Sequence, residues 1–251
     1  MQGLDGKRVV ITGGAGGIGM ATARRFLEEG SRVVIWDHDR NALTGAVDSI
    51  IGLSGSIRAD VTNPEEVKTG FTEVGEIMGG LDILINNAGI SIRHPFLEIT
   101  PEEWRRVIDV NLNGIFLVGR AAAELMLSGD GGVIVNMGST NAMTGYHYYA
   151  DYNASKAGVV ELTRSMALEL GPRIRVNAAC PGFILTPMQD AEYTPEMKTA
   201  FSSKLPLDRL GSPEDVAALF AFLASEESSF ITGQCFIIDG GEIAGGLASQ
   251  R

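Results

Sequence analysis

The order of apolar runs and punctuation along this 251-residue chain predicts an α/β protein built on a doubly wound parallel sheet. Strand-like runs near Val9, Val33, Ile57, Ile83, Val133, Val176 and Phe236 alternate with helical stretches. That alternation is what parallel strands joined by right-handed crossovers require. A glycine-rich turn closes the first run and opens a helix. No linker interrupts the chain, and a hydrophobic content of 45% can bury one large core, so residues 1–251 are expected to form a single domain. The expected sheet has seven strands in the order 3-2-1-4-5-6-7 with helices on both faces, and its ligand lies across the carboxyl ends at the topological switch point.

Each element has a local reason. Lys7-Arg-Val-Val-Ile-Thr12 reads as a short buried strand, Gly13-Gly-Ala-Gly-Gly-Ile-Gly19 as a turn, and residues 20–29 as a helix stopped by Gly30. Glycines at such a turn let backbone N–H groups approach a pyrophosphate, which the positive end of the helix favours. The loop fits three registers: G-x-G-x-x-G through Gly14, Gly16 and Gly19, T-G-x-x-x-G-x-G through Gly13, Gly17 and Gly19, and T-G-x-x-G-x-x-G through Gly16. The second strand ends at Asp37, eighteen residues past Gly19. A carboxylate there is placed to accept hydrogen bonds from an adenosine ribose and to repel a 2′-phosphate, so NAD is expected over NADP, with Arg40 the one nearby residue able to accommodate a phosphate. Further on, Thr100-Pro-Glu-Glu103 is a capping box and Ser212-Pro-Glu-Asp215 a second proline-led helix start.

The run Tyr152-Asn-Ala-Ser-Lys156 places a phenol and an ammonium four residues apart, on one face of a helix. A fixed positive charge favours the phenolate and draws the phenol toward the working range of a neutral-pH base. Ser139 lies thirteen residues earlier, after a buried strand.

Together these residues resemble the classical type of the short-chain dehydrogenase/reductase family, from about Leu4 to Gly241. Thr12 to Gly19 looks like its cofactor loop, including Gly13, Gly17, Ile18 and Gly19, and makes the third loop register a coincidence. Asn86-Asn-Ala-Gly89 looks like its signature after the fourth strand, and Asn111, Ser139, Tyr152 and Lys156 like its catalytic tetrad. The resemblance implies a Rossmann-type fold and NAD as cofactor. It implies an adenine contact at Asp60 and Val61, a ribose wall at Asn87, Ala88 and Gly89, and a nicotinamide loop through Pro181, Gly182, Ile184 and Thr186. In mechanism it implies that Tyr152 exchanges a proton with the substrate oxygen while Ser139 donates a hydrogen bond to it. Lys156 lowers the Tyr152 pKa and bonds the nicotinamide ribose, and Asn111 holds a water leading to solvent.

Composition excludes other classes. Twenty basic against 31 acidic residues leave a net charge of −11, with no basic tract, so neither nucleic acid nor an anionic membrane is an expected partner. Met1 stands a few residues before the first strand and no apolar run approaches about 20 residues, so a cytoplasmic protein is expected. Cys180 and Cys235 lack metal-ligand spacing and read as reduced, packed thiols; three scattered histidines argue no metal site.

The expected substrate pocket draws on Ser139, Asn141, His147, Arg93, His94 and Met188, with a lid over about residues 183–210. This mixed lining predicts a small polar secondary alcohol or ketone: a polyol, sugar or hydroxy acid. The alternatives are a 3-oxoacyl-thioester reductase, with Arg105, Arg106 and Arg120 or Arg173 and Arg175 as a local basic patch, and a non-catalytic NAD-binding regulator. Residues 101–127 and 152–170 resemble the family's dyad-pairing helices, with small residues at 121–123 and 154–158, so a homotetramer is expected.

Overall fold

A computed structural model describes residues 1–186 and 194–245. Its chain runs β1 (Arg8–Thr12), α1 (Gly17–Glu28), β2 (Arg32–Asp37), α2 (Arg40–Ser49), β3 (Gly55–Arg58), α3 (Pro64–Met78), β4 (Ile83–Asn86), α4 (Pro101–Ile108) and α5 (Gly114–Leu127). It continues through β5 (Gly132–Met137), α6 (Ala150–Leu170), β6 (Ile174–Pro181), α7 (Pro195–Ser202), α8 (Pro213–Ala224) and β7 (Cys235–Ile238). The seven strands form one parallel sheet in the order β3-β2-β1-β4-β5-β6-β7, as the sequence predicts. The reversal between β1 and β4 is the switch point, and the glycine loop opens there.

Central strands carry apolar residues on both faces because helices cover both. Val9, Ile11, Val33 and Ile35 pack with Phe26, Val216 and Phe220 on one side; Val10, Val34, Leu84 and Ile134 pack with Phe71, Val118 and Met126 on the other. Trp36 is fully buried, donates from Nε1 to the Ala59 carbonyl at 2.9 Å and lies 5.3 Å from the Phe71 ring. A Cβ at Gly70 would lie 2.5 Å from the indole, so α3 reaches the sheet only with glycine there. At the opposite end of the strands, Arg8 donates to both oxygens of Asp82 at 2.9 and 2.6 Å and clamps the starts of β1 and β4.

Two elements differ from expectation. The first helix begins at Gly17 rather than residue 20, because the Met20 N–H already bonds the Gly16 carbonyl at 2.7 Å. The stretch Pro101–Leu127, long and apolar enough by length and composition to cross a membrane, packs Val107, Ile115, Val118, Ala122 and Met126 into the core. It is interrupted by a π turn at Asp109–Asn113, in which the Gly114 N–H bonds the Asp109 carbonyl. Single π turns inside α-helices are frequent at functional sites, and this one carries Asn111.

Candidate active site

The glycine loop is braced from β4. Thr12 ends β1 fully buried, and its hydroxyl accepts from the N–H groups of Asn87 and Ala88 at 3.0 and 3.1 Å. Asn87 returns Nδ2 bonds to the Thr12 and Gly13 carbonyls at 2.9 and 3.2 Å. Gly13 has φ +63°, and a Cβ on it would stand 3.0 Å from the Ala88 Cα. A Cβ on Gly19 would stand 2.1 Å from the Gly13 carbonyl oxygen, so α1 closes against the loop only as glycine. Gly16 caps α1 without a side chain, whereas α2, α3, α4, α7 and α8 are each capped by Asp, Asn, Thr or Ser. The first amides of α1, Gly17 to Gly19, are thereby left for an anion.

Asp37 closes the ribose side. It accepts from the Ala15 N–H at 3.2 Å and the Asp39 N–H at 3.2 Å, which ties the loop to the end of β2. Asp60 accepts from the Thr62 N–H and hydroxyl at 2.9 and 2.8 Å, and Val61 packs into the core over Gly114. Pro181 ends β6; the Gly182 N–H bonds the Ile238 carbonyl at 3.0 Å, and Ile184 is buried, bridged to Gly211, with Thr186 following. A Cβ on Gly182 would stand 2.7 Å from the Asp239 Cβ and 3.0 Å from its Cα, so glycine is required where the loop passes the end of β7.

The four tetrad positions converge. Ser139 follows β5, and Tyr152 and Lys156 share α6 one turn apart, with the Lys156 Nζ 5.5 Å from the Tyr152 ring centroid. Lys156 is 1% exposed and donates to the Met137 carbonyl at 2.8 Å; among the described residues no carboxylate pairs with it. Among those residues its one acceptor is that carbonyl, which leaves ammonium protons for a ligand's hydroxyls. Asn111 grips the segment after β4 by accepting from the Ile90 N–H and donating to the Ile90 carbonyl, both at 2.8 Å, and it donates to the Ser155 hydroxyl at 3.2 Å. Gly89 fits between, its would-be Cβ 3.2 Å from the Asn111 Oδ1 and 3.6 Å from the Lys156 Nζ.

The electrostatics correct one expectation. Burial pushes the Tyr152 phenol above its ordinary value, with the Ser139 hydroxyl pulling the other way. The same burial draws the Lys156 ammonium down to about 8. Desolvation thus outweighs the serine's pull on the phenol, because a low-dielectric site opposes charge on both groups.

Several substrate candidates are placed elsewhere than expected. His94 is a correction: its Nε2 lies 3.1 Å from Asp151, a fully buried carboxylate that accepts from the Tyr152 N–H at 2.7 Å. Its ring ties residues 90–95 to the first turn of α6. Asn141 is another, since both ends of its amide are engaged by Ser139 and Asn153. Arg93 lies over the Tyr148 ring at 4.5 Å, on the surface. His147 lines a cavity of about 320 Å³ with Pro95, Phe96, Tyr146, Tyr148, Ala150 and Asn153. Met188 lies outside the described residues, as does part of the expected lid. Cys180 is buried beneath Gly138 and Cys235 half-buried, both free thiols, and no metal-binding cluster occurs among the described residues.

Sequence reasoning missed Asn136 and Thr163. Asn86 donates to the Ile115 carbonyl and to Asn136, which donates to Thr163 at 3.0 Å, a buried polar chain beneath the site. An asparagine inside the apolar run of β5 was its available signal. Tyr146 and Glu242, 96 residues apart, share a hydrogen bond no spacing announces; burial pushes both above their ordinary values.

An anion-receptive helix start at a switch point, beside a phenol and a buried ammonium, defines a nicotinamide-dinucleotide oxidoreductase acting on CH–OH or carbonyl groups. A family profile described as enoyl-(acyl carrier protein) reductase matches residues 13–242. The chain is 41% identical to 3beta-hydroxysteroid dehydrogenase 1 of Eggerthella lenta, covering 95% of this chain and 94% of that one. It is also 41% identical to a 3-oxoacyl-(acyl-carrier-protein) reductase of Thermotoga maritima, covering 95% and 98%. The aldohexose dehydrogenase of Thermoplasma acidophilum superposes with a TM-score of 0.90 at 34% identity, covering 99% and 98%. The chain belongs to the short-chain dehydrogenase/reductase family.

Proposed function

We propose that the protein is an NAD-dependent dehydrogenase of secondary alcohols, with Tyr152 as acid and base. The observation that carries this reading is the convergence of Ser139, Tyr152 and Lys156 beside an uncapped helix start at the sheet's switch point. The nicotinamide, when bound, supplies hydride acceptance and donation. Tyr152 takes the proton of the substrate hydroxyl at its phenol oxygen, and in the reverse direction returns it. Ser139 donates to the same oxygen and stabilises charge that develops there. Lys156 offers its ammonium protons to the nicotinamide ribose and keeps positive charge beside the phenol. Asn111 fixes Ile90 and Ser155, so that the loop after β4 and α6 stay in register, and a water it holds gives the lysine's proton a way out. Asp37 supports NAD over NADP, because a second anion there meets its carboxylate.

For the substrate we favour a secondary alcohol or ketone carried on an apolar body. His94 and Asn141, counted among polar contacts for a polyol, sugar or hydroxy acid, are occupied by Asp151, Ser139 and Asn153. The cavity at the start of α6 adds Pro95, Phe96 and Tyr148 as apolar surface, with Phe96 71% exposed. The 41% identity to a 3-oxoacyl-(acyl-carrier-protein) reductase supports a second reading, reduction of an acyl thioester. The assembly we propose is a homotetramer, in which Trp104 and Phe116, apolar and part-exposed on the π-interrupted helix, are covered. NADH formation is to be measured across cyclic and steroid alcohols, polyols and hydroxy acids, with 3-oxoacyl thioesters in the reductive direction. Tyr152→Phe removes one oxygen and is expected to keep dinucleotide affinity and lose nearly all turnover. Normal turnover in that variant removes Tyr152 from the chemistry.

A further inference from the structure

We propose that Asn141 and Asn153 are positioning residues that set the direction of the Ser139 hydroxyl proton. The inference rests on the reading of Ser139 and Tyr152 as the catalytic pair. Four groups form a directed chain. The Asn153 Nδ2 donates to the Tyr146 carbonyl at 3.0 Å, the Asn141 Nδ2 to the Asn153 Oδ1 at 2.6 Å, and the Ser139 hydroxyl to the Asn141 Oδ1 at 3.1 Å. The last residue is held twice, since the Asn141 N–H donates back to the Ser139 Oγ at 3.2 Å.

The far end fixes the polarity of the whole chain. A peptide carbonyl only accepts, so Asn153 must turn its NH2 toward Tyr146 and its oxygen toward Asn141. Asn141 must then present its NH2 to that oxygen and its own oxygen to Ser139. Flipping either amide sets oxygen against oxygen or NH2 against NH2. Ser139 therefore parks its proton on Asn141 and turns lone-pair density toward the Tyr152 phenol beside it. In that state the serine proton is withheld from the phenol, so the downward pull that its hydroxyl exerts by donating to Tyr152 is not realised. A substrate oxygen arriving as acceptor draws the serine proton off Asn141, and only then does Ser139 donate at the reacting centre. The Asn pair holds the tyrosine protonated until substrate arrives.

The titratable groups facing the phenol are Tyr149 just before α6, Lys156 on α6 and Cys180 on β6, and the substitutions below leave all three in place. Asn141→Leu removes the acceptor at similar shape, which frees Ser139 to donate to the phenolate. Tyr152 ionisation is then read by ultraviolet difference titration against a matched Tyr152→Phe background, together with the pH dependence of alcohol oxidation. The titration of Tyr152 is expected to move to lower pH, and the rate lost on going from about pH 9 to about pH 6 to shrink by up to about tenfold. Asn153→Ala, which leaves Asn141 without its orienting partner, is expected to move it in the same direction by less. Asn141→Asp keeps an acceptor for Ser139 and adds negative charge, so its titration is expected at or above the wild-type pH. An unmoved Tyr152 titration in folded Asn141→Leu and Asn153→Ala, with only thermal stability changed, overturns the proposal. The optical titration needs no turnover, so an absence of dehydrogenase activity overturns the functional reading separately.

Discussion

Gly19→Ala tests whether the glycine loop works by close backbone approach. The added Cβ would lie 2.1 Å from the Gly13 carbonyl oxygen and 2.8 Å from the Gly14 Cα. Both are backbone atoms, so no side-chain rotation relieves the overlap. Overpacking of this kind costs about 1–3 kcal/mol, and a middle value of about 2 kcal/mol corresponds to a fall in Tm of roughly 4–8 °C for a chain of this size. The atoms that must move are those that would face a pyrophosphate, so the same 2 kcal/mol predicts a dinucleotide Kd about 30-fold higher. Gly75→Ala is the control: it lies inside α3 with nothing within 4 Å of the new methyl, and should gain about 0.5–1 kcal/mol without touching the Kd. Thermal unfolding and NADH fluorescence titration read both quantities. Wild-type Tm and Kd in Gly19→Ala would refute the close-approach argument.

Asp37→Ala should narrow the ratio of NAD to NADP affinity, measured by titration with each; an unchanged ratio assigns Asp37 only to bracing Ala15. Lys156 has its folded pKa drawn down to about 8 from 10.5, so the native state binds fewer protons between those values and stability there rises with pH. Below about pH 8 the buried ammonium costs up to about 3 kcal/mol, so Lys156→Met should be more resistant to urea than wild type at neutral pH. That advantage should shrink as the pH is raised toward 10, and a gap independent of pH argues against the burial cost. Light scattering should return four times the 26.7 kDa chain mass, and a single-chain mass ends the assembly proposal.

Much of the architecture was legible because its signals are local. Alternating apolar runs announced the seven strands, the Thr100–Glu103 capping box formed as written, and the proline-led start at Ser212 formed with a box to Asp215 besides. The tetrad was legible as spacing: Tyr152 and Lys156 need only one helical turn to meet. What stayed hidden was partner choice across long separations. Nothing in the order of residues says that His94 turns to Asp151, 57 positions away, rather than to a substrate, or that Asn141 spends its amide on Asn153. Nor does the identity of Lys156 reveal how far burial draws its own ammonium down, since desolvation depends on what Met137 and the surrounding sheet exclude.

The π turn at Asp109–Asn113 amounts to one surplus residue in an otherwise continuous rod. A single residue is worth about 100° of rotation along an α-helix, so the portion before the turn is aimed independently of the portion after it. Ile115, Val118 and Ala122 can face the sheet while Asn111 addresses Ile90 in the segment beside β4. Deleting one residue within the turn would restore a regular spiral, and it would swing the upstream face about a quarter-circle away from Ile90. The placement of Asn111, on this view, depends on a helix that miscounts once.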